Sequence, residues 1–498
     1  MSRPSEDSAD FVIVGTGAGG ATCAYVLSAA GYSVIMLEEG HYLDNKQRPK
    51  QVLAALSQAV RHFGTQTTHG TVPIPLLQGK CVGGSTAINS GITWRMPEDV
   101  RSLWQHTYGL DDLVEEQAMD AIYARLESEL GVTETPKDIL GGNGHAMADA
   151  CAILNLPGQA MQRNTPGCKG SARCLQGCPN AARQSMDVSF VPRAIAQGAR
   201  LYTGARVRRV VTKGGRASSV RGSWLNSQGR VRGNLQMHAR RGVILSAGAL
   251  HTPTILQHTG LKGLVGQYFR AHPGTPVVAR FLQPIGMNRG ATQGYEVPLR
   301  ERGYKLESLS IPAELLAARL PGAGHVWQER VSNLDHFAQW AALLRMQAIG
   351  SIQSGWDGQP VVRYTPTEQD LRMAREAVSL LCRMFFAVGA IEVYPGLASA
   401  PQVLTDPAEI RHIQQLPLKP AEFHFVASHL FGGAIAGSDP KASVVGPDLQ
   451  CHQVPGLYAM DASVFPSNLG VNPQHSIMAV VYRAADRLAN QERHRHAA

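Results

Sequence analysis

Apolar and polar positions along the chain fall into distinct local patterns. Phe11 to Val14 is an unbroken apolar run, suited to a strand buried on both faces of a sheet. Gly15-Thr16-Gly17-Ala18-Gly19-Gly20 then turns into a helical stretch, and a second strand follows over Ser33 to Leu37. From Asp111 to Leu130, apolar Leu113, Ile122, Leu126 and Leu130 recur among acids, which predicts an amphipathic surface helix stopped by Gly131. Ala199 to Val211 and Ala217 to Trp224 alternate like paired strands, and Gly242 to Ala249 predicts a further buried strand. Strand material thus returns to the first sheet late in the chain, so that unit is discontinuous in sequence. Between about Gly274 and Lys419, prolines and glycines separate short pieces, apart from one long amphipathic helix over Glu368 to Val388. The chain carries no internal repeat.

The first strand-turn-helix-strand unit carries chemistry. Gly15 permits the tight turn, Gly17 lets backbone approach a pyrophosphate, and Gly20 allows close helix-to-strand packing, with phosphates on the positive helix N-terminus. Glu38 ends the second strand, where a carboxylate accepts both ribose hydroxyls and disfavours a 2′-phosphate. The unit predicts an adenine dinucleotide and leaves NAD and FAD open. A second glycine loop, Gly79-Lys80-Cys81-Val82-Gly83-Gly84-Ser85-Thr86-Ala87-Ile88-Asn89, is not needed by a plain NAD fold, and reads as support for the middle of an extended FAD.

Length and composition narrow the setting. With 498 residues, 44% hydrophobic and 17% charged, the chain can bury a large core and should divide into two or more units. The net charge of +9 leaves an acidic partner or an anionic surface open, but basic residues are dispersed, apart from the tail Arg493-His494-Arg495-His496, read as a solvated end. Nucleic acid is therefore not expected. No run reaches membrane-span length, since Arg383 and Glu392 break Ser379 to Tyr394, and Met1 to Asp10 is polar; the expectation is a cytoplasmic protein. Eight cysteines are too sparse for a disulfide framework, yet Cys168, Cys174 and Cys178 cluster in CxxxxxCxxxCP.

The last block holds His429-Leu-Phe-Gly-Gly, Asp461-Ala462-Ser463 and Asn472-Pro473-Gln474-His475, with the proline placed to open a helix. Four stretches together, Gly15 to Glu38, Gly79 to Asn89, Val243 to Pro253 and His429 to Ala479, resemble the glucose-methanol-choline (GMC) oxidoreductase family. The resemblance implies FAD rather than NAD, an α/β Rossmann-type flavin domain, and an α+β substrate domain with an antiparallel sheet. It implies flavin-domain parts at 1–98, 196–273 and 420–498, a helical, cysteine-bearing insertion at 99–195, and a substrate domain at 274–419. By the same resemblance, Gly15, Gly17 and Gly20 form the pyrophosphate loop, Glu38 holds the ribose and Val207 contacts adenine through its backbone. Gly83, Gly84, Ser85 and Asn89 line the flavin, and Asp461 with Ala462 approaches the ribityl chain.

The implied reaction is oxidation of an alcohol to a carbonyl, a small-molecule CH–OH donor giving hydride to flavin N5. His429 is the candidate base, and Asn472, where other members carry His, fixes the substrate oxygen. The usual Cys and Met after the glycine pair are here Ala434 and Ala436. His475 is read as a structural or substrate contact with a second acid-base role as the alternative, and His272 as structural. The cysteine segment is similar both to flavin-dependent sugar dehydrogenases, whose three cysteines hold a 3Fe-4S cluster, and to long-chain alcohol oxidases, where none is implied. An iron-sulfur cluster passing electrons to a protein acceptor, reduced structural thiols, and zinc stay open as alternatives. The other function classes considered are an NAD-linked dehydrogenase and a binding protein that keeps the fold with a cysteine metal knob.

Overall fold

Strand Glu6–Val14 begins ahead of the apolar run that announces it, in the computed structural model, which describes residues 5–497. Only its second half is buried between two neighbours, with Val34–Glu38 on one side and Val231–Leu245 on the other, both parallel. Glu6 to Asp10 lies at the rim, where polar side chains keep water and leave no apolar signature.

The full order of this first sheet is Arg200–Thr203, Val34–Glu38, Glu6–Val14, Val231–Leu245, Arg216–Leu225 and Ala205–Lys213, with Leu457–Ala459 also parallel to Val231–Leu245. The alternating stretch Ala199 to Val211 is two strands rather than one. Gly204, at φ +68°, breaks it, so one half pairs parallel with Val34–Glu38 and the other antiparallel with Arg216–Leu225. The Gly242 to Ala249 strand is the end of the longer Val231–Leu245, whose polar first half forms the antiparallel pairing with Arg216–Leu225.

Helix Ala18–Ala29 is rich in Gly and Ala, which lets it pack closely between this sheet, helix Phe190–Ala196 and the final helix Gln474–Ala497. The helix predicted over Asp111 to Leu130 starts only at Glu116, because Glu115 caps it by accepting from the N–H groups of Gln117 and Ala118.

A second, antiparallel sheet runs Glu392–Tyr394, Arg270–Arg280, Phe337–Leu344, Tyr304–Ser308, Tyr295–Leu299 and Gln159–Ala160, with Val426–Phe431 also paired to Arg270–Arg280. Helix Glu368–Ala387 covers one face, opened by a Thr367–Asp370 capping box and anchored where Phe385 stacks on Trp340 at 3.7 Å. One buried apolar cluster spans both sheets. The FAD-type α/β sheet and the antiparallel substrate-side sheet are thus both present. Strand pairing, however, crosses the predicted boundaries: Gln159–Ala160 and the His429-bearing strand join the second sheet.

Among the described residues, no helix is long and apolar enough to cross a membrane. The polar start Met1 to Pro4 lies outside the described residues. Arg493 and His494 are exposed, and the side chains of Arg495 and His496 lie outside what is described.

Candidate functional site

A cavity of about 650 Å³ runs from the carboxyl ends of the parallel strands towards the second sheet. At its inner end the glycine loop behaves as its spacing demands. Gly15 has φ +100°, and an added Cβ would lie 2.1 Å from the Ser246 carbonyl oxygen; a Cβ on Gly20 would lie 2.0 Å from that of Gly15. A Cβ on Gly17 would meet nothing within 4 Å, because that position opens onto the cavity. Gly15 is thus needed for the turn, Gly20 for packing, and Gly17 for the approach of a ligand at the helix N-terminus. Gly19 is equally constrained, 2.0 Å from the Met460 carbonyl oxygen, and the spacing did not single it out.

Glu38 is buried on the cavity wall. It accepts hydrogen bonds from Thr16 N at 3.1 Å, Thr16 Oγ1 at 2.7 Å and Gly40 N at 2.9 Å, and burial pushes its carboxyl up. A carboxylate offers about four lone-pair sites, so acceptor capacity is left for a sugar hydroxyl. Val207, Gly84, Ser85, Asn89, Asp461 and Ala462 also line the cavity. Gly83 does not. Its φ of +92° turns the loop against Asp187, and its N–H donates to Thr16 Oγ1 at 3.2 Å, so its part is conformational. Asn89 is tied within the protein, donating to Gln474 Oε1 at 2.6 Å and accepting from Gly91 N at 3.1 Å. Asp461 accepts from Gly248 N at 2.8 Å, Ser463 N at 2.8 Å and Thr252 Oγ1, which binds the first sheet's strand ends together.

His429 and Asn472 line the same cavity. His429 lies opposite His272 in the antiparallel register, and their Nδ1 atoms are 3.1 Å apart. Nε2 is the ring nitrogen left for the cavity. Burial first and the charge of Lys305 second lower the His429 pKa to about 3.

Asn472 precedes the final helix, and its Oδ1 accepts from Lys305 Nζ at 2.6 Å. Lys305 is fully buried and also pairs with Glu296 at 2.5 Å and Glu307 at 2.8 Å, beneath the Trp94 ring. Glu307 itself lines the cavity. The pattern of the 274–419 block gave no sign of this charged group. The one available signal was Lys305-x-Glu307 on a strand whose neighbours are apolar, a charge pair at period two on a buried face.

The other predicted residues do not converge here. His475 points to the helix Glu116–Leu130, with Nε2 3.4 Å from Glu127 and its ring against Tyr123, and it does not line the cavity, so its acid-base alternative is dropped. His272, read as structural, directly contacts His429.

Cys168, Cys174 and Cys178 border a separate space of about 10 Å³, room for about one water and far too little for a cluster of three irons and four sulfides. All eight cysteines are free, and among the described residues no group of three His, Cys, Asp or Glu is arranged to hold a metal ion. Cys174 instead accepts from Arg163 at 3.7 Å, while Arg163 and Arg183 donate to the carbonyls of Ser90, Asn89 and Ala87. The metal-ligand expectation for these three cysteines therefore gives way to a brace behind the second glycine loop, and the three-iron cluster does not fit the residues as placed.

FAD does fit. The open glycine backbone at one helix start, the buried acceptor Glu38, the glycine loop at Gly84 and the free N–H groups at the start of helix Gln474–Ala497 line one continuous space.

Comparison with known proteins agrees. Residues 9–274 match the N-terminal GMC oxidoreductase model, and residues 351–480 match the C-terminal one. An uncharacterised GMC-type oxidoreductase of Mycobacterium tuberculosis is 32% identical over 488 residues, covering 97% of this chain and 76% of that protein. A long-chain-alcohol oxidase of Arabidopsis thaliana is 24% identical over 504 residues, covering 95% of this chain and 67% of that one. A solved structure of a formate oxidase variant from Aspergillus oryzae superposes with a TM-score of 0.76 at 16% identity, over 99% of this chain and 100% of its own, a likeness of fold. Matches that run through both sheets and both glycine loops place this chain in the GMC oxidoreductase family, whose members are FAD-dependent oxidoreductases.

Proposed function

We propose that this oxidoreductase converts an alcohol to the corresponding carbonyl, with His429 as base and Asn472 holding the substrate oxygen. The observation that carries this reading is that both side chains line one end of the cavity whose other end is built by the glycine loop and Glu38. Bound FAD supplies the two-electron acceptor, taking the carbon-bound hydrogen as hydride at N5.

The chain's own part is the proton. As the C–H bond breaks with its electron pair, the O–H proton passes to His429 Nε2 and the carbon–oxygen double bond forms. For Nε2 to accept, Nδ1 must carry the ring hydrogen and donate it to His272 Nδ1, which places the hydrogen of His272 on Nε2. The lowered pKa keeps His429 neutral at physiological pH, so that Nε2 holds a free lone pair, and also makes that nitrogen a weaker base than an ordinary imidazole.

The same reading assigns pyrophosphate to Gly15, Gly17 and Gly20, ribose to Glu38, adenine to the Val207 backbone, flavin to Gly84, Ser85 and Asn89 on the loop that Gly83 turns, and the ribityl chain to Asp461 and Ala462. It keeps 274–419 as the substrate domain. Leu309, Ile311, Pro312, Leu315 and Leu343 on the cavity wall favour a fairly apolar alcohol, as does the likeness to a long-chain-alcohol oxidase.

The test is His429→Ala. Anaerobic flavin reduction should fall on the order of 1000-fold, within the range for loss of a general base, while FAD stays bound. Unchanged reduction kinetics would remove His429 from the mechanism.

A further inference from the structure

Lys305, Glu307 and Glu296 share one face of the second sheet for a simple reason. Residues two apart on strand Tyr304–Ser308 point the same way, and the antiparallel register sets Glu296 directly opposite Glu307. Lys305 has three donors and uses them on Glu296, Glu307 and Asn472. Glu296 is fixed in turn, accepting from Trp94 Nε1 at 3.1 Å and Gln159 Nε2 at 3.0 Å. Burial alone would lower the ammonium's pKa, but the two carboxylates outweigh it and hold Lys305 charged.

An ammonium can only donate, so the face that Asn472 turns to Lys305 must be its oxygen. The amide NH₂ is turned the other way, where one hydrogen meets the Glu307 carboxylate on the cavity wall and the second is left for the cavity. We infer that Lys305 is a positioning residue that fixes the Asn472 amide in one orientation, making Asn472 an obligate donor to the substrate oxygen beside His429. The inference rests on the alcohol-oxidation reading and deepens it: one partner of the oxygen accepts its proton, and the other donates to the alkoxide as charge develops.

The titratable and charged groups around His429 are His272 on strand Arg270–Arg280, Lys305 and Glu307 on Tyr304–Ser308, and Glu296 behind them on Tyr295–Leu299. Removing the lysine cation should therefore raise the pH at which His429 protonates as well as slow the reaction.

The test uses the FAD-loaded enzyme and anaerobic flavin reduction by an alcohol. Lys305→Met should lower the limiting rate by about 10- to 100-fold, up to the lower end of the loss for an oriented oxyanion donor, and leave the apparent substrate Kd within about threefold. The acid limb of its pH profile should move to higher pH.

Because Lys305→Met strands two buried carboxylates, Lys305→Met/Glu296→Gln/Glu307→Gln is the companion. It should regain thermal stability without regaining rate. Asn472→Asp keeps the side chain's shape and its bond to Lys305 but has no NH₂, and should lose rate to a similar degree. A wild-type limiting rate in the triple variant or in Asn472→Asp would overturn the inference. If His429→Ala also reduces flavin normally, the alcohol-oxidation reading has failed; if His429→Ala is inactive while the Lys305 variants keep wild-type rates, only the Lys305 inference has.

Discussion

A base that is neutral because it is buried leaves a signature in stability. His429 has its pKa lowered from an ordinary 6.5 to about 3, chiefly by desolvation. The unfolded chain therefore binds a proton at this site before the folded one does. The stability contributed by neutral His429 is fully present above pH 6.5 and is lost progressively as pH falls towards the folded value. Each pH unit in that window costs about 1.4 kcal/mol, so lowering the pH from 6.5 to 5 costs about 2 kcal/mol from this residue.

The perturbation that isolates it is His429→Gln, whose amide can still meet His272 and has nothing to titrate. Denaturant unfolding of FAD-loaded wild type and variant at pH 7.5 and pH 5 gives the comparison. The stability difference should shift by about 2 kcal/mol in the variant's favour at the lower pH. Glu38, Glu307 and Asp461, whose carboxyls burial pushes up, act in the opposite direction, but they are common to both proteins and cancel in the difference. A difference that stays constant with pH, or moves in favour of wild type, would show that folded His429 protonates at least as readily as the unfolded chain and would refute burial as the cause of its neutrality.

Other outcomes follow from the same geometry. Gly17→Ala should fold with wild-type stability yet bind FAD more weakly, because its Cβ enters the cavity without touching protein, whereas Gly15→Ala should unfold more easily by several kcal/mol, given φ +100° and a Cβ 2.1 Å from the Ser246 oxygen; thermal melts with flavin titration separate the two. Purified protein should carry no stoichiometric iron or acid-labile sulfide, and Cys168→Ser should leave flavin reduction unchanged, as metal analysis and anaerobic bleaching would report.

The sequence announced those parts of the site where backbone geometry restricts residue choice. Gly15 and Gly20 are forced by contacts near 2 Å, and Glu38 by its place at a strand end, so spacing alone reveals them. His429 and Asn472 were legible through family likeness, since neither a histidine on a strand nor an asparagine before a helix is informative by itself. Lys305 and its carboxylates stayed hidden because charge on an alternating strand ordinarily means a solvent face. Only the register opposite Tyr295–Leu299 shows that this face is buried. His475 reads first as a structural or substrate contact, and it packs against Glu127 and Tyr123 away from the cavity; only its acid-base alternative rests on the helical period. One helical turn beyond Asn472 suggests a shared face, yet Asn472 precedes the helix, so the 3.6-residue period does not link the two. The cysteine cluster likewise looked like a ligand set by spacing, while its neighbours Arg163 and Arg183 turned out to hold the second glycine loop.

The most direct measurement is anaerobic mixing of the FAD-loaded protein with a panel of primary and secondary alcohols of increasing chain length, following the flavin's visible absorption. Bleaching by at least one apolar alcohol, with the matching carbonyl formed in equal amount, is the predicted result. A flavin that dithionite reduces but that every alcohol in the panel leaves yellow would contradict it.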